Sequence, residues 1–220
     1  MNSTVEKPYK GMAMEGRVAR WYATNTGRSL DEFRNLAREV AAVLPAGSRV
    51  LEVAPGPGYF AIELARLGGY PVTGLDISRT FVEIARANAT KAGVAVDFRL
   101  GNASAMPFAP DTFDFLLCRA AFKNFSDPVG ALREMCRVLK PGGRGRLIDM
   151  RRDASASDIA REVDQMGLSW FNRLITRMTL RSLRKRAYTE LEFRSFFKQT
   201  QIRSLAIQEQ PIGLDILFGK

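Results

Sequence analysis

Residues 50–60 read Val50-Leu51-Glu52-Val53-Ala54-Pro55-Gly56-Pro57-Gly58-Tyr59-Phe60. A short run with β-branched content, 49–53, passes directly into a turn of glycine and proline, and a helical pattern follows over 59–67. Such a run reads as a buried strand. Gly56 and Gly58 lack Cβ atoms, so the backbone there can turn tightly and let a ligand lie against it. A glycine-rich turn also serves as a plain joint between strand and helix, so the rest of the chain must decide.

Downstream the pattern alternates: strand 71–76, helix 78–91, strand 94–100, a turn at 107–111, and strand 113–119. A helix then opens at Asp127-Pro128 and stops at Lys140-Pro141-Gly142-Gly143, before a strand over 145–150. Repeated β-α units of this length imply a parallel sheet with helices on both faces and right-handed crossovers, a Rossmann-like α/β architecture. A mixed helical region, 157–183, and a helix, 189–198, precede two strands, 204–210 and 214–219. The short Pro211-Ile212-Gly213 link between them suits an antiparallel hairpin. Upstream, 14–23 could form a small helix, and Ser29 with Glu32 forms a capping box for the helix that runs to Pro45.

Asp76 stands eighteen residues after Gly58, at the carboxyl end of the second strand. In nucleotide-binding sheets an acid at that place accepts hydrogen bonds from ribose hydroxyls; alternatively it is the N-terminal charge of the next helix. Together, loop and acid favour a nucleoside ligand. Glu52 could anchor the loop or meet a cationic amino group. Residues 56–61 also satisfy the loose dinucleotide pattern, which keeps an NAD(P)-dependent reductase as the rival. Pro55 and Pro57 each remove an N–H from the turn that should cradle a pyrophosphate, which counts against it.

The ordered blocks Glu52 to Gly58, Asp76, Gly101-Asn102-Ala103, Met106-Pro107-Phe108, Phe113-Asp114 and Leu139-Lys140-Pro141-Gly142-Gly143 carry a family likeness. Across residues 15–150 the chain resembles the class I S-adenosylmethionine-dependent methyltransferases, and among them the ubiquinone and menaquinone C-methyltransferases. The resemblance implies seven strands with the last antiparallel, and S-adenosylmethionine as cofactor. It places Gly56 and Gly58 against the methionyl part, Asp76 on the ribose, Ile77 on the adenine face, Asn102 and Ala103 at the adenine edge, and Arg119 near the methionine or acceptor. Two positions depart from the family pattern. Ala54 stands where glycine is usual and is tolerable if its φ is negative; Asn102 stands where aspartate is common and still offers an acceptor.

A sulfonium donor is already activated, so the protein mainly aligns acceptor, methyl and sulfur and excludes water. The chain has no histidine, so a base would have to come from other groups, and Tyr22, Lys123, Asp149 and Tyr188 are the candidates. Each has a plainer reading: Tyr22 as a cover for the cofactor, Lys123 as a solvated loop charge, Asp149 as a structural acid, Tyr188 as packing. No metal site is expected, and Cys118 and Cys136 read as reduced core residues.

At 220 residues the chain is long enough for one α/β domain, with 1–28 as an N-terminal cap and about 151–188 as a helical lid. Met14, Trp21, Tyr22, Met166, Leu168, Trp170, Phe171, Leu174, Ile175 and Met178 could line a pocket for a small hydrophobic or aromatic acceptor, or form a second small core. The net charge is +10, and residues 151–203 hold twelve Lys/Arg against six Asp/Glu. Arg173, Arg177, Arg181 and Arg184 follow helical spacing as one basic face. That face could be merely solvated, or meet an acidic acceptor, an anionic membrane surface in peripheral contact, or nucleic acid. Without stacking aromatics among the arginines, RNA methylation is the least supported. With no long apolar run and a polar start, a cytoplasmic protein is expected; the oligomeric state is open, and a cofactor-binding protein without catalysis stays a rival.

Overall fold

The computed structural model describes residues 9–10, 14–27 and 30–220. Seven strands form one sheet: β1 (Val50–Val53), β2 (Val72–Asp76), β3 (Asp97–Leu100), β4 (Phe113–Arg119), β5 (Leu139–Met150), β6 (Ser204–Glu209) and β7 (Gly213–Gly219). Their order is β3-β2-β1-β4-β5-β7-β6, with β1 to β5 mutually parallel and β7 antiparallel to both its neighbours. The helices are α1 (Gly16–Thr26), α2 (Leu30–Val43), α3 (Tyr59–Arg66), α4 (Arg79–Ala92), α5 (Pro128–Val138), α6 (Ala156–Gln165), α7 (Trp170–Arg184) and α8 (Glu190–Phe197). The expected mostly parallel sheet with an antiparallel terminal hairpin is the observed one.

The period of two along each strand divides the core between the sheet faces. Leu51 and Val53 of β1, with Leu116 and Cys118 of β4, pack with α5 and α8 through Leu132, Met135, Phe193 and Phe197. Val50, Phe115 and Leu117 point the other way and meet α2, α3 and α4 through Leu36, Val40, Leu64 and Ala85. Arg146 on β5 grips Asp215 on β7 through Nε and Nη2, at 2.9 and 2.7 Å, which pins the antiparallel register.

Boundaries differ in three places. The third strand begins at Asp97 rather than 94, because Gly93 in the left-handed region ends α4 and the Val94 amide still bonds to Ala89. The fifth strand begins at Leu139, which pairs with Phe113, and residues 140–143 bulge out before pairing resumes at Arg144. The first helix spans 16–26 rather than 14–23. Ser29 of the expected capping box lies outside the described residues; α2 carries Asp31 and Glu32 in its first turn.

Candidate active site at the carboxyl ends of the strands

Parallel strands direct their carboxyl ends to one edge of the sheet, and the loops after β1, β2 and β4 meet there. The turn after β1 holds three residues at positive φ: Ala54 (56°), Gly56 (55°) and Gly58 (79°). The glycines adopt this region without steric cost, whereas Ala54 does not. The condition of a negative φ at Ala54 is therefore not met. Its conformation is imposed from outside, since the Ala54 amide donates to Leu75 O on β2 at 2.8 Å.

The two glycines serve different ends. A Cβ on Gly58 would lie 2.6 Å from the Phe98 ring and 3.0 Å from the Ala85 methyl, so its bareness lets α3 close against the sheet. A Cβ on Gly56 would meet nothing within 4 Å, although the residue is buried. Open space therefore lies over Gly56.

Asp76, 5% exposed, accepts from the Gly56 amide (3.0 Å) and the Ser78 amide (2.8 Å). Burial pushes its carboxyl up to about 6, and those amides pull part of the way back. Glu52 is buried beside it and accepts from the Ala61 amide at 3.0 Å, which ties β1 to the start of α3. Burial pushes Glu52 up to about 8, against the pull of the Ala61 amide and Arg119, while Asp76 adds to the rise.

α1 is fastened across this edge. Ser78 caps α4 by accepting from the Phe81 amide and donates its hydroxyl to Met14 O at 2.7 Å. Glu15 accepts from the Arg79 and Thr80 amides at 2.9 and 3.0 Å. Despite the cost of partial burial, the Thr80 hydroxyl and amide hold the Glu15 carboxyl below its ordinary value. Tyr59 donates to Ala23 O at 2.9 Å, and Tyr22 stands edge-on to Phe81 with ring centroids 5.8 Å apart. Ser78, Glu15 and Thr80 had no signal in the sequence beyond the helix start.

At the end of β4, Arg119 pairs with Glu32 on α2 at 2.8 Å and stacks over Phe33. Ala120 follows at φ 58°. Lys123 is buried, not solvated: its ammonium donates to Asp149 (2.8 Å) and to Ala120 O (2.6 Å), and its amide donates to Asp149 (2.9 Å). Asp149 also accepts from the Met150 amide at 2.7 Å. These two expected candidate bases thus hold each other and the strained Ala120. Burial, with the Asp149 charge adding to it, pushes the neighbouring Cys118 thiol up, in keeping with an inert core residue. Tyr188 packs among Phe122, Phe193 and Phe196, and its hydroxyl accepts from Lys10.

Ile77 is 37% exposed just past β2. The Asn102 side-chain oxygen accepts from the Ser104 amide at 3.0 Å, closing a local turn, so the acceptor expected to be free is partly engaged. Ala103 packs against the core edge. A groove of about 600 Å³ opens at the opposite end of the strands, lined by Arg49, Pro71, Arg86 and Asp97 among others. It shares none of the loops just described, and open α/β sheets bind ligands at the carboxyl end.

The expected lid is the helical pair α6 and α7, and its two faces are reversed from expectation. Arg173 and Arg177 turn inward to Asp164 on α6, at 3.3 and 2.7 Å, and Arg184 donates to Ala154 O at 2.5 Å. Trp170, Phe171, Leu174, Ile175 and Met178 stand exposed on the outside. They form neither a pocket lining nor a second core here, and the basic face is mostly paired rather than solvated.

Strand order, an antiparallel seventh strand, and a glycine turn facing an acid on the next strand define the Rossmann-like methyltransferase fold. Residues 51–147 match the family model described as Methyltransferase domain. The chain is 36% identical over 157 residues to a demethylmenaquinone methyltransferase of Deinococcus radiodurans, covering 68% of this chain and 65% of that protein. It is 32% identical over 135 residues to a ubiquinone biosynthesis O-methyltransferase of Xanthomonas euvesicatoria pv. vesicatoria, covering 61% and 54%. The chain therefore spans less than two thirds of these relatives' length. A solved candidate S-adenosyl-L-methionine-dependent methyltransferase from Methanococcus maripaludis shares the fold with a TM-score of 0.73 at 19% identity, over 96% of this chain and 95% of that one. The resemblance read from the sequence is the one these comparisons return.

Proposed function

We propose that this chain is an S-adenosylmethionine-dependent methyltransferase acting on a small hydrophobic or aromatic metabolite, with an activated ring hydroxyl or ring carbon as the first class to test. The carrying observation is the space over Gly56 beside the buried Asp76 carboxylate. In this reading Asp76 receives the ribose hydroxyls, Ile77 flanks the adenine, and Asn102 and Ala103 stand at its edge. Gly56 leaves room for the methionyl part, while Glu52 and Gly58 hold the turn in shape. The cofactor supplies a methyl group already activated by its sulfonium.

The residues of the chain then bind, orient and exclude water. α1, fastened through Glu15 and Ser78, covers the loop edge, and Tyr22 is the candidate group that it carries there. Lys123 and Asp149 act through Ala120 as positioning residues for the end of β4, where Arg119 stands. Tyr188 belongs to the packing beneath. The unit is one methyltransferase domain, with α1 as the described helix of the expected 1–28 cap, the rest of that segment lying partly outside the described residues, and α6–α7 as the helical insertion after β5. The names of the Deinococcus and Xanthomonas relatives support the choice of quinone precursors as first acceptors.

A dinucleotide fits less well. The Gly56 and Gly58 amides are spent on Asp76 and Pro55 O, and Pro55 and Pro57 have none, so the turn offers a pyrophosphate little. RNA fits less well because three of the four arginines on α7 are engaged within the protein. Calorimetric titration with S-adenosylhomocysteine, NADH and NADPH tests the cofactor. Transfer of labelled methyl into demethylated quinone precursors, set against total RNA, tests the acceptor. Binding of a nicotinamide nucleotide alone, or label appearing only in RNA, would overturn the reading.

A further inference from the structure

α7 leaves an apolar stripe exposed, while Leu180 and Leu183 lie half-buried with the paired arginines on its packed side. Its five outward apolar side chains are 43 to 77% exposed, with Trp170 the most open. None of its residues is buried. A contiguous apolar surface of this kind marks an interaction site.

The outward orientation is fixed rather than incidental. Arg173, Arg177 and Arg184 latch the other side of the helix to Asp164 and to Ala154 O. Rolling the apolar side inward would break all three attachments.

Charge selects the occupant. Arg181 and Lys185 are exposed; Arg181 follows Leu174 by seven residues and Met178 by three, and Lys185 follows Met178 by seven, which places them on the same outward side. The sequence of α7 contains no acid, and the chain as a whole carries +10. A second copy would bring the same positive surface face to face. A bilayer with anionic headgroups offers acyl chains to the apolar side chains and phosphates to the two cations. We infer that the outward face of α7, from Trp170 to Lys185, is a docking surface for an anionic lipid membrane. No helix among the described residues is long and apolar enough to cross a membrane, so the contact is one of lying on the surface.

The test is co-sedimentation of the full chain with phosphatidylcholine vesicles, with and without phosphatidylglycerol. Binding is expected only with the anionic lipid. Trp170 emission, read in a Trp21→Phe background, should shift to the blue on binding. Leu174→Ser with Met178→Ser, and separately Arg181→Glu with Lys185→Glu, should each weaken binding at least roughly tenfold. All four positions are exposed or at the helix rim, and unchanged melting of the variants confirms that they fold. Three outcomes would overturn the inference: no sedimentation, equal binding to neutral vesicles, or a dimer in light scattering that either double variant dissolves. Titration of the same sample with S-adenosylhomocysteine reads the cofactor site independently, so failure of the membrane contact and failure of the methyltransferase reading are told apart.

Discussion

Asp76 and Gly56 are joined by a hydrogen bond of 3.0 Å from the loop amide to the carboxylate, so the acid on β2 also shapes the turn after β1. Replacing Asp76 by alanine removes both the ligand's acceptor and the turn's support. S-adenosylhomocysteine affinity should fall roughly ten- to a hundredfold, the worth of hydrogen bonds to a charged group. Asp76→Asn should fall less, because one oxygen remains for an amide. Isothermal calorimetry on variants with native circular dichroism checks this, and unchanged affinity in Asp76→Ala would remove the residue from the site.

Ala54 sits at φ 56°, where a Cβ crowds the backbone. Ala54→Gly should relieve about 1 kcal/mol, offset in part by the entropy glycine gains in the unfolded chain. The net result expected is a melting temperature about 1–3 °C higher in thermal denaturation, or at least not lower. A loss would mean that the methyl makes contacts outweighing the strain.

The pH dependence of stability follows from Glu52. Its carboxyl rises from 4.5 to about 8 on folding, so between those values the folded chain holds a proton that the unfolded chain has released. The contribution is whole below the unfolded value and is lost as pH climbs through the folded one. The melting temperature should fall from about pH 5 to about pH 8, and Glu52→Gln should flatten that slope. Asp76 adds a smaller fall of the same sign, lost as pH climbs through about 6. A ligand that donates to the ionised Asp76 should bind more tightly above that pH than below it. Scanning fluorimetry across this range reads both effects.

Lys123 and Asp149 form a buried ion pair whose halves depend on each other. Lys123→Met alone, or Asp149→Leu alone, strands the other charge and should cost about 3–5 kcal/mol in urea unfolding. The double variant should cost less than the sum of the two, the mark of direct coupling. If methyl transfer falls in the folded double variant while cofactor affinity holds, the pair positions the end of β4.

Much of this was legible from residue patterns. Alternating segments bounded by Asp127-Pro128 and by the glycines marked the β-α units, since proline and glycine act on the chain locally. The tight turn at Gly56 and Gly58 was legible from their missing Cβ atoms. What stayed hidden depends on partners far along the chain: Lys123 meets Asp149 across twenty-six residues, and Glu15 reaches Thr80 across sixty-five. Helical spacing also grouped Arg173, Arg177, Arg181 and Arg184 as one basic face, whereas Arg181 is exposed on the apolar side and the other three are engaged within the protein. It could not say which side faces water. The habit of polar outside and apolar inside gave the wrong answer because Asp164 draws two of the arginines inward.

The position of β7 bears on how the protein is made. β5 is an interior strand of the finished sheet, yet the strand that covers its far edge starts only at residue 213. Roughly sixty residues must be synthesised in between, which at ribosomal speed takes about 3–12 s. For that interval the nascent chain carries a bare strand edge, the kind of template that recruits unrelated chains into aggregates. Expression at low temperature or with chaperones that shield such edges should therefore raise the soluble yield.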